Sequence, residues 1–288
     1  MKVGFVNIFG KPNAGKSTLL NALAGEKLAI VSPKVQTTRH RIKAILTGEG
    51  YQIILSDTPG IIEPRYKLHE KMMQAVKNSL EDADLALLML SITEDWSEND
   101  AIFSALHLKV PALVLINKID RADQAKRQEA LTFFMAKPYA CGALLLSALN
   151  MQGVNQLRDK ILDLLPEGQP FYDGDEMSDL PVKFFAGEMI REKIFELYQD
   201  EIPYQTTVLV QEYKEKVTLV KIRADIIVQR ESQKAIILGD GGKMIKKLGT
   251  LARQDIEAFI DQKVFLELFV KVRDKWRDSD LFLKEYGY

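Results

Sequence analysis

Short apolar runs alternate with amphipathic stretches over the first 165 positions of the chain. The runs predict strands over 3–9, 51–56, 84–92, 111–117 and 142–146. Stretches with apolar residues every three to four positions predict helices over 16–24, 67–80, 97–107, 121–136 and 151–164. Such alternation builds an α/β domain, a doubly wound and mostly parallel sheet with helices on both faces. Residues 41–49 add one antiparallel strand, hairpinned through Gly48-Glu49-Gly50 to the strand that follows. After Leu165 the pattern lapses. Pro166-Glu167-Gly168-Gln169-Pro170 and the acidic Asp173-Gly174-Asp175-Glu176 predict a linker over 166–180, which bounds a first domain at 1–165. Residues 181–288 follow another rhythm: helix 181–199, strands 206–213, 217–228 and 234–238, helix 242–262, strand 264–272 and a short tail. They form a second, smaller α+β domain.

Chemistry first enters where the first strand ends. Gly10-Lys11-Pro12-Asn13-Ala14-Gly15-Lys16-Ser17, with Thr18 next, has the form of a phosphate-binding loop. The glycines let backbone N–H groups turn onto phosphate oxygens, Lys16 reaches the β- and γ-phosphates, and Ser17 opens a helix with its hydroxyl toward Mg²⁺. Alone, this leaves ATP, GTP, kinase and ATPase open. Asn117-Lys118-Ile119-Asp120 narrows the choice, because it ends the apolar run 112–116 at the edge where α/β sheets bind ligands. Guanine presents two adjacent N–H donors that an ionised carboxylate accepts together, whereas adenine has no amine at C2, so Asp120 selects GTP. Asp57-Thr58-Pro59-Gly60 supplies a carboxylate for the metal's water shell and a flexible amide at Gly60 to meet the γ-phosphate. Each tetrapeptide alone also reads as an ordinary turn or helix cap. In this order, at successive strand ends, they read as one GTP site.

Composition constrains the rest. The 288 residues are 47% hydrophobic, enough for two cores, and no apolar stretch approaches membrane-spanning length, so the expected location is the cytoplasm. The net charge of −1 means that any nucleic-acid contact must use a local patch. A single cysteine, Cys141, excludes an internal disulfide and reads as a small residue at the edge of the core. His40, His69 and His107 lack metal-ligand spacing, the last two reading as helix-surface residues, and no metal beyond the nucleotide's Mg²⁺ is indicated.

In the second domain, Gly239-Asp240-Gly241-Gly242 reads as a Gly-x-x-Gly turn between a strand and a helix start, the loop by which KH modules clamp single-stranded RNA. Lys243, Lys246 and Lys247 crowd the helix start and Arg253 follows two turns on, which fits RNA, although a solvated basic helix face has the same pattern.

Across essentially its whole length the chain resembles the Era family of bacterial GTPases. The resemblance rests on residues 10–17, on Gln36-Thr37-Thr38-Arg39-His40-Arg41-Ile42, on Asp57-Thr58-Pro59-Gly60-Ile61, on Asn117–Asp120, on Ser147-Ala148, on residues 239–256, and on the Trp276-Arg277-Asp278 and Gly287-Tyr288 ending. It implies a GTPase domain followed by a type II-like KH domain that binds the 3′ end of small-subunit ribosomal RNA during maturation of the 30S subunit. It makes Thr38 the switch threonine on Mg²⁺, with Thr37 the alternative, and it implies that Ala148, beside Ser147, lends its amide to guanine O6. One departure stands out: the family usually carries Lys or Arg between the loop glycines, where this chain has Asp240 and Gly241. A carboxylate there repels phosphates and shifts the expected contact toward Lys243, Lys246 and Lys247.

Ile61 and Ile62 follow Asp57–Gly60, where many GTPases place a water-orienting glutamine, so hydrolysis by this chain alone is expected to be slow. It would use Lys16, Thr38, Gly60 and Mg²⁺ to stabilise phosphoryl charge. Asn13 has two readings: it resembles the asparagine that in related GTPases helps hold K⁺ against the phosphates, or it makes a local turn hydrogen bond. The favoured class is a GTP-hydrolysing RNA-binding assembly factor, monomeric, with peripheral contact at the inner membrane face as a further expectation. An RNA-binding protein with structural nucleotide, or a GTP-gated protein-interaction module, is the alternative.

Overall fold

Six strands in the order β2-β3-β1-β4-β5-β6 make the first sheet of the computed structural model, which describes every residue, Met1–Tyr288. They are β1 (Lys2–Phe9), β2 (Ile42–Gly48), β3 (Tyr51–Asp57), β4 (Leu85–Ser91), β5 (Ala112–Asn117) and β6 (Gly142–Leu145). Only β2 runs antiparallel, paired with β3 from Ile42↔Asp57 to Gly48↔Tyr51 as the hairpin predicts. Helices α1 (Lys16–Ala24), α2 (Lys67–Glu81), α3 (Trp96–Ala105), α4 (Gln124–Met135) and α5 (Val154–Leu164) cover the sheet. Covered on both faces, β4 is buried at every residue and therefore reads as a continuous apolar run rather than an alternating one. Aspartates start two of the helices: Asp95 accepts from the Ser97 and Glu98 amides, and Asp123 from that of Lys126.

The chain divides into two units that interleave in sequence. The first comprises Met1–Ala29, Thr38–Pro64 and Lys71–Asp179; the second takes Ile30–Thr37, Arg65–Glu70 and Leu180–Tyr288. Of residues 166–180, expected as a linker, 166–179 run over the first unit. Phe171 packs on Phe5 at 4.9 Å between ring centroids, Gln52 Oε1 accepts from the Phe171 and Tyr172 amides, and the Ser178 hydroxyl donates to the Lys43 carbonyl.

The second unit has α6 (Val182–Leu197), a sheet of β7 (Thr207–Glu215), β8 (Val220–Val228) and β9 (Val264–Val272), and helices α7 (Glu231–Leu238), α8 (Lys243–Ile260) and α9 (Asp280–Glu285). β7 is antiparallel and β9 parallel to β8, and Ile190, Ile194, Ile222, Ile226, Leu248 and Ile256 lie in one core. The expected strand over 234–238 is instead part of helix α7. Its start is fixed by Gln233, whose Oε1 accepts from the Gln229 and Arg230 amides, and Tyr198 Oη donates to the Ile237 carbonyl. The short tail carries a helical turn and α9. The two segments taken from the first half of the chain are held within this unit. The Arg277 guanidinium lies 4.3 Å over the Tyr66 ring, Lys67 pairs with Asp280, and His69 Nε2 stands 3.0 Å from Gln36 Oε1. His69 is buried rather than on a helix surface as expected, whereas His107 is exposed just beyond α3. Cys141 is exposed rather than tucked into the core edge.

Candidate nucleotide and RNA sites

The loop from Gly10 to Gly15 joins β1 to α1 at the carboxyl edge of the sheet, with β3 and β4 on either side of β1. Its glycines are demanded by space. A Cβ on Gly10 would fall 2.0 Å from the Met89 carbonyl oxygen, and one on Gly15, at φ +107°, would fall 2.2 Å from Asn117 Nδ2. Lys16 is buried and donates to the Gly10 and Lys11 carbonyls at 3.1 and 2.9 Å. Burial pushes its ammonium below the usual lysine range while Asp57 and Glu94 pull it back, so the loop holds a cation short of anionic partners.

Three oxygens converge at the first residue turn of α1. Ser17 Oγ donates to Asp57 Oδ2 at 2.6 Å, Thr38 Oγ1 donates to the same oxygen at 3.0 Å, and the two hydroxyls are 2.9 Å apart. Asp57 Oδ1 is buried without a protein partner. Desolvation raises the Asp57 pKa, against the pull of Lys16 and the two hydroxyls. An all-oxygen set with an unsatisfied carboxylate oxygen suits a hard divalent cation such as Mg²⁺, whose charge would replace the missing solvation. Thr38 stands in this cluster; the Thr37 carbonyl turns to Arg191 Nη2 instead. No group of three or more His, Cys, Asp or Glu side chains is placed to hold a metal.

The remaining motif residues divide by what they touch. Thr58 donates its hydroxyl to the Ile8 carbonyl at 2.7 Å, a structural bond, and a Cβ on Gly60 would meet Pro12 N at 2.7 Å, so the two loops lie in contact. Asn117 Nδ2 donates to the Ala14 carbonyl at 2.8 Å, and Lys118 Nζ donates to the Asn13 carbonyl at 2.6 Å, tying residues 117–118 to the Gly10–Gly15 loop. Asp120 Oδ1 accepts from Ser147 Oγ at 2.6 Å, and that hydroxyl holds the exposed carboxyl below its ordinary range, hence ionised at neutral pH. The Ala148 amide, expected to face guanine, donates at 3.0 Å to Asn117 Oδ1.

In the second unit the Gly-x-x-Gly segment joins two helices rather than a strand and a helix, which is the correction that α7 forces on the expected context. Gly239, Gly241 and Gly242 have φ of +68°, +57° and +77°. A Cβ on Gly239 would strike Met244 at 2.6 Å, whereas Gly241 and Gly242 face open space. Asp240 is exposed and lies 3.4 Å from Lys243 Nζ, a loose surface pair. Lys246 and Lys247 are exposed on the first turns of α8. Arg253 stands 3.4 Å from Glu257 one turn along, so part of its charge is already answered.

Sequence reasoning did not single out Arg191 or Glu192, although charged residues set among the apolar positions of 184–195 were a visible signal.

The profile of the 50S ribosome-binding GTPases matches residues 5–118, and that of the KH domain matches residues 201–277. The chain is 42% identical over 293 residues to GTPase Era of Thermotoga maritima, covering 100% of this chain and 97% of that protein. It is 40% identical over 291 residues to GTPase Era of Carboxydothermus hydrogenoformans, covering 100% and 98%. Among solved structures, an Aquifex aeolicus Era variant bound to GDP·AlF4⁻ superposes with a TM-score of 0.96 at 38% identity, covering 100% of this chain and 99% of that one. An Era complex with MgGDPNP and nucleotides 1506–1542 of 16S ribosomal RNA gives 0.95 at 39% identity and the same coverage.

Proposed function

We propose, from the premise that this chain belongs to the Era family of GTPases, that it binds the 3′ end of small-subunit ribosomal RNA through its KH domain and acts in 30S maturation under the control of GTP. The observation that carries the GTP half is the convergence of Ser17, Thr38 and Asp57 oxygens beside the phosphate loop. A bound Mg²⁺ would neutralise phosphate oxygens there, with Ser17 and Thr38 as direct ligands and Asp57 acting through water. Lys16 exchanges the Gly10 and Lys11 carbonyls for β- and γ-phosphate oxygens, the loop amides turn onto the same oxygens, and the Gly60 amide meets the γ-phosphate. With isoleucine at 61 and 62, no side chain after Gly60 orients the attacking water, so turnover is slow and its main product is a change of binding state. The RNA half rests on the Gly239–Gly242 turn with Lys243, Lys246 and Lys247 beside it, and on the RNA held by the related Era complex. GTP turnover that rises with 30S subunits or RNA ending in the ribosomal 3′ sequence tests the whole reading; turnover indifferent to both would leave the RNA-binding protein with structural nucleotide.

Asp120→Asn tests base recognition. An amide offers guanine one acceptor and one donor, so losing the charge-assisted pair should cost about 1.5–3 kcal/mol of GTP affinity and improve binding of XTP. Unchanged GTP affinity with no gain for XTP would sink the assignment.

Potassium belongs to the reading through Asn13, an exposed residue at φ +63° in the loop. Turnover should be faster in KCl than in NaCl at equal ionic strength, and Asn13→Ala should erase the difference. Equal parental rates in the two salts would leave Asn13 as a turn residue. A monomeric, cytoplasmic chain completes the proposal. No helix is long and apolar enough to cross a membrane, so contact at the inner membrane face would be peripheral; sedimentation with and without lipid vesicles measures both.

A further inference from the structure

Within the second unit, helix α6 grips the segment 30–37 at three points. Glu192 Oε1 accepts from the Val31 amide at 3.2 Å. Lys34 Nζ donates to the Phe195 carbonyl at 2.6 Å and to that of Tyr198, where a helix C-terminus leaves carbonyls unpaired and favours a cation. Arg191 Nη2 donates to the Thr37 carbonyl. The arginine is 1% exposed and is aimed by its own helix: Nε and Nη2 bond Glu188 Oε1 and Oε2 at 2.8 and 2.6 Å, a fork that fixes the plane of the guanidinium. Nη1 has no partner. Packing alone does not account for a buried, incompletely satisfied guanidinium, since an apolar side chain of similar volume would fill the same space without that cost. What the guanidinium adds is a donor for one backbone carbonyl, and the residue after that carbonyl is Thr38.

We propose that Arg191 is a positioning residue of the GTP reaction, fixing the peptide that leads into Thr38 and thereby the place of the Thr38 hydroxyl beside Ser17 and Asp57. The inference rests on the reading of Thr38 as a ligand of the nucleotide's metal. GDP lacks the γ-phosphate that the ordered switch answers, so the effect of Arg191 falls on GTP and its turnover and spares GDP.

The test uses the full-length protein with three variants: Arg191→Lys, Arg191→Met combined with Glu188→Leu, and Lys34→Met. The readouts are single-turnover GTP hydrolysis, affinities for fluorescent GDP and GMPPNP, and the melting temperature. Arg191→Lys and the double variant should hydrolyse GTP about tenfold or more slowly, as expected for a misplaced reacting group, and bind GMPPNP more weakly with GDP affinity within about twofold of the parent. Lys34→Met, which changes a half-buried surface side chain, should follow in the same direction by about threefold. Parental turnover with a parental GMPPNP-to-GDP ratio in the folded double variant overturns the proposal, and so does an equal loss of GDP and GMPPNP. Should the double variant fail to melt cooperatively, unchanged turnover in Lys34→Met overturns it. A parent protein without GTP turnover would instead overturn the functional reading itself.

Discussion

Thr38→Ala is expected to lower GTP hydrolysis about 100-fold or more while leaving GDP affinity within about twofold. The magnitude is that of removing one preorganised group from a site of developing charge, where mutational losses run to roughly 10²–10³ in kcat. The argument is geometric: the Thr38 hydroxyl lies 2.9 Å from Ser17 Oγ and 3.0 Å from Asp57 Oδ2, so its loss removes one corner of the oxygen set that would face the cation. Thr37→Ala is the matched control. The cluster's hydrogen bonds run among Ser17, Thr38 and Asp57, and the Thr37 carbonyl, which Arg191 uses, survives the substitution. Parent-like turnover in Thr37→Ala beside a collapsed rate in Thr38→Ala is the expected pair. Equal loss of GDP and GTP binding in Thr38→Ala would make the residue structural, and the reverse pattern would return the role to Thr37.

The GTPase half was legible because its chemistry is written in contiguous tetrapeptides at strand ends, and because buried parallel strands such as β4 are apolar without interruption. Legibility failed where the deciding contact is remote in sequence. Residues 235–238 are an apolar run too short for periodicity to separate strand from helix; only Ile237 within Ile236-Ile237-Leu238 is fully buried, while Ile236 is 49% exposed. What settles the helix is Gln233 capping the amides of 229 and 230. His69 reads as a helix-surface residue, yet its ring is buried, with Nε2 3.0 Å from Oε1 of Gln36, far back in the chain. The same holds for Thr37 and Thr38. The resemblance favours Thr38 and keeps Thr37 as the alternative; in the structure the Thr38 hydroxyl bonds Asp57 Oδ2, while the Thr37 carbonyl accepts from Arg191. Nothing local to either threonine encodes that difference.

Gly242→Asp is expected to weaken binding of single-stranded RNA by the full-length protein about 100-fold, with nucleotide affinity unchanged. Two costs add. Gly242 sits at φ +77°, where a side chain strains the backbone by roughly 1 kcal/mol even though the space around it is open. A second carboxylate beside Asp240 also repels the phosphate the turn would clamp, forfeiting a charge-assisted contact of about 1.5–3 kcal/mol. Gly242→Asn separates them, because asparagine tolerates the left-handed conformation and carries no charge, so its loss should be several-fold smaller. Lys246→Ala and Lys247→Ala should each flatten the salt dependence by about one unit of slope, if each answers one phosphate. Arg253→Ala should flatten it less, since Glu257 already stands 3.4 Å from its guanidinium. Anisotropy titrations of labelled RNA at several salt concentrations, with melting curves for every variant, make the comparison. A Gly242→Asp protein that melts like the parent and still binds RNA like the parent would remove the turn from the RNA site, and residues 181–288 would then be better described as a GTP-gated surface for protein partners.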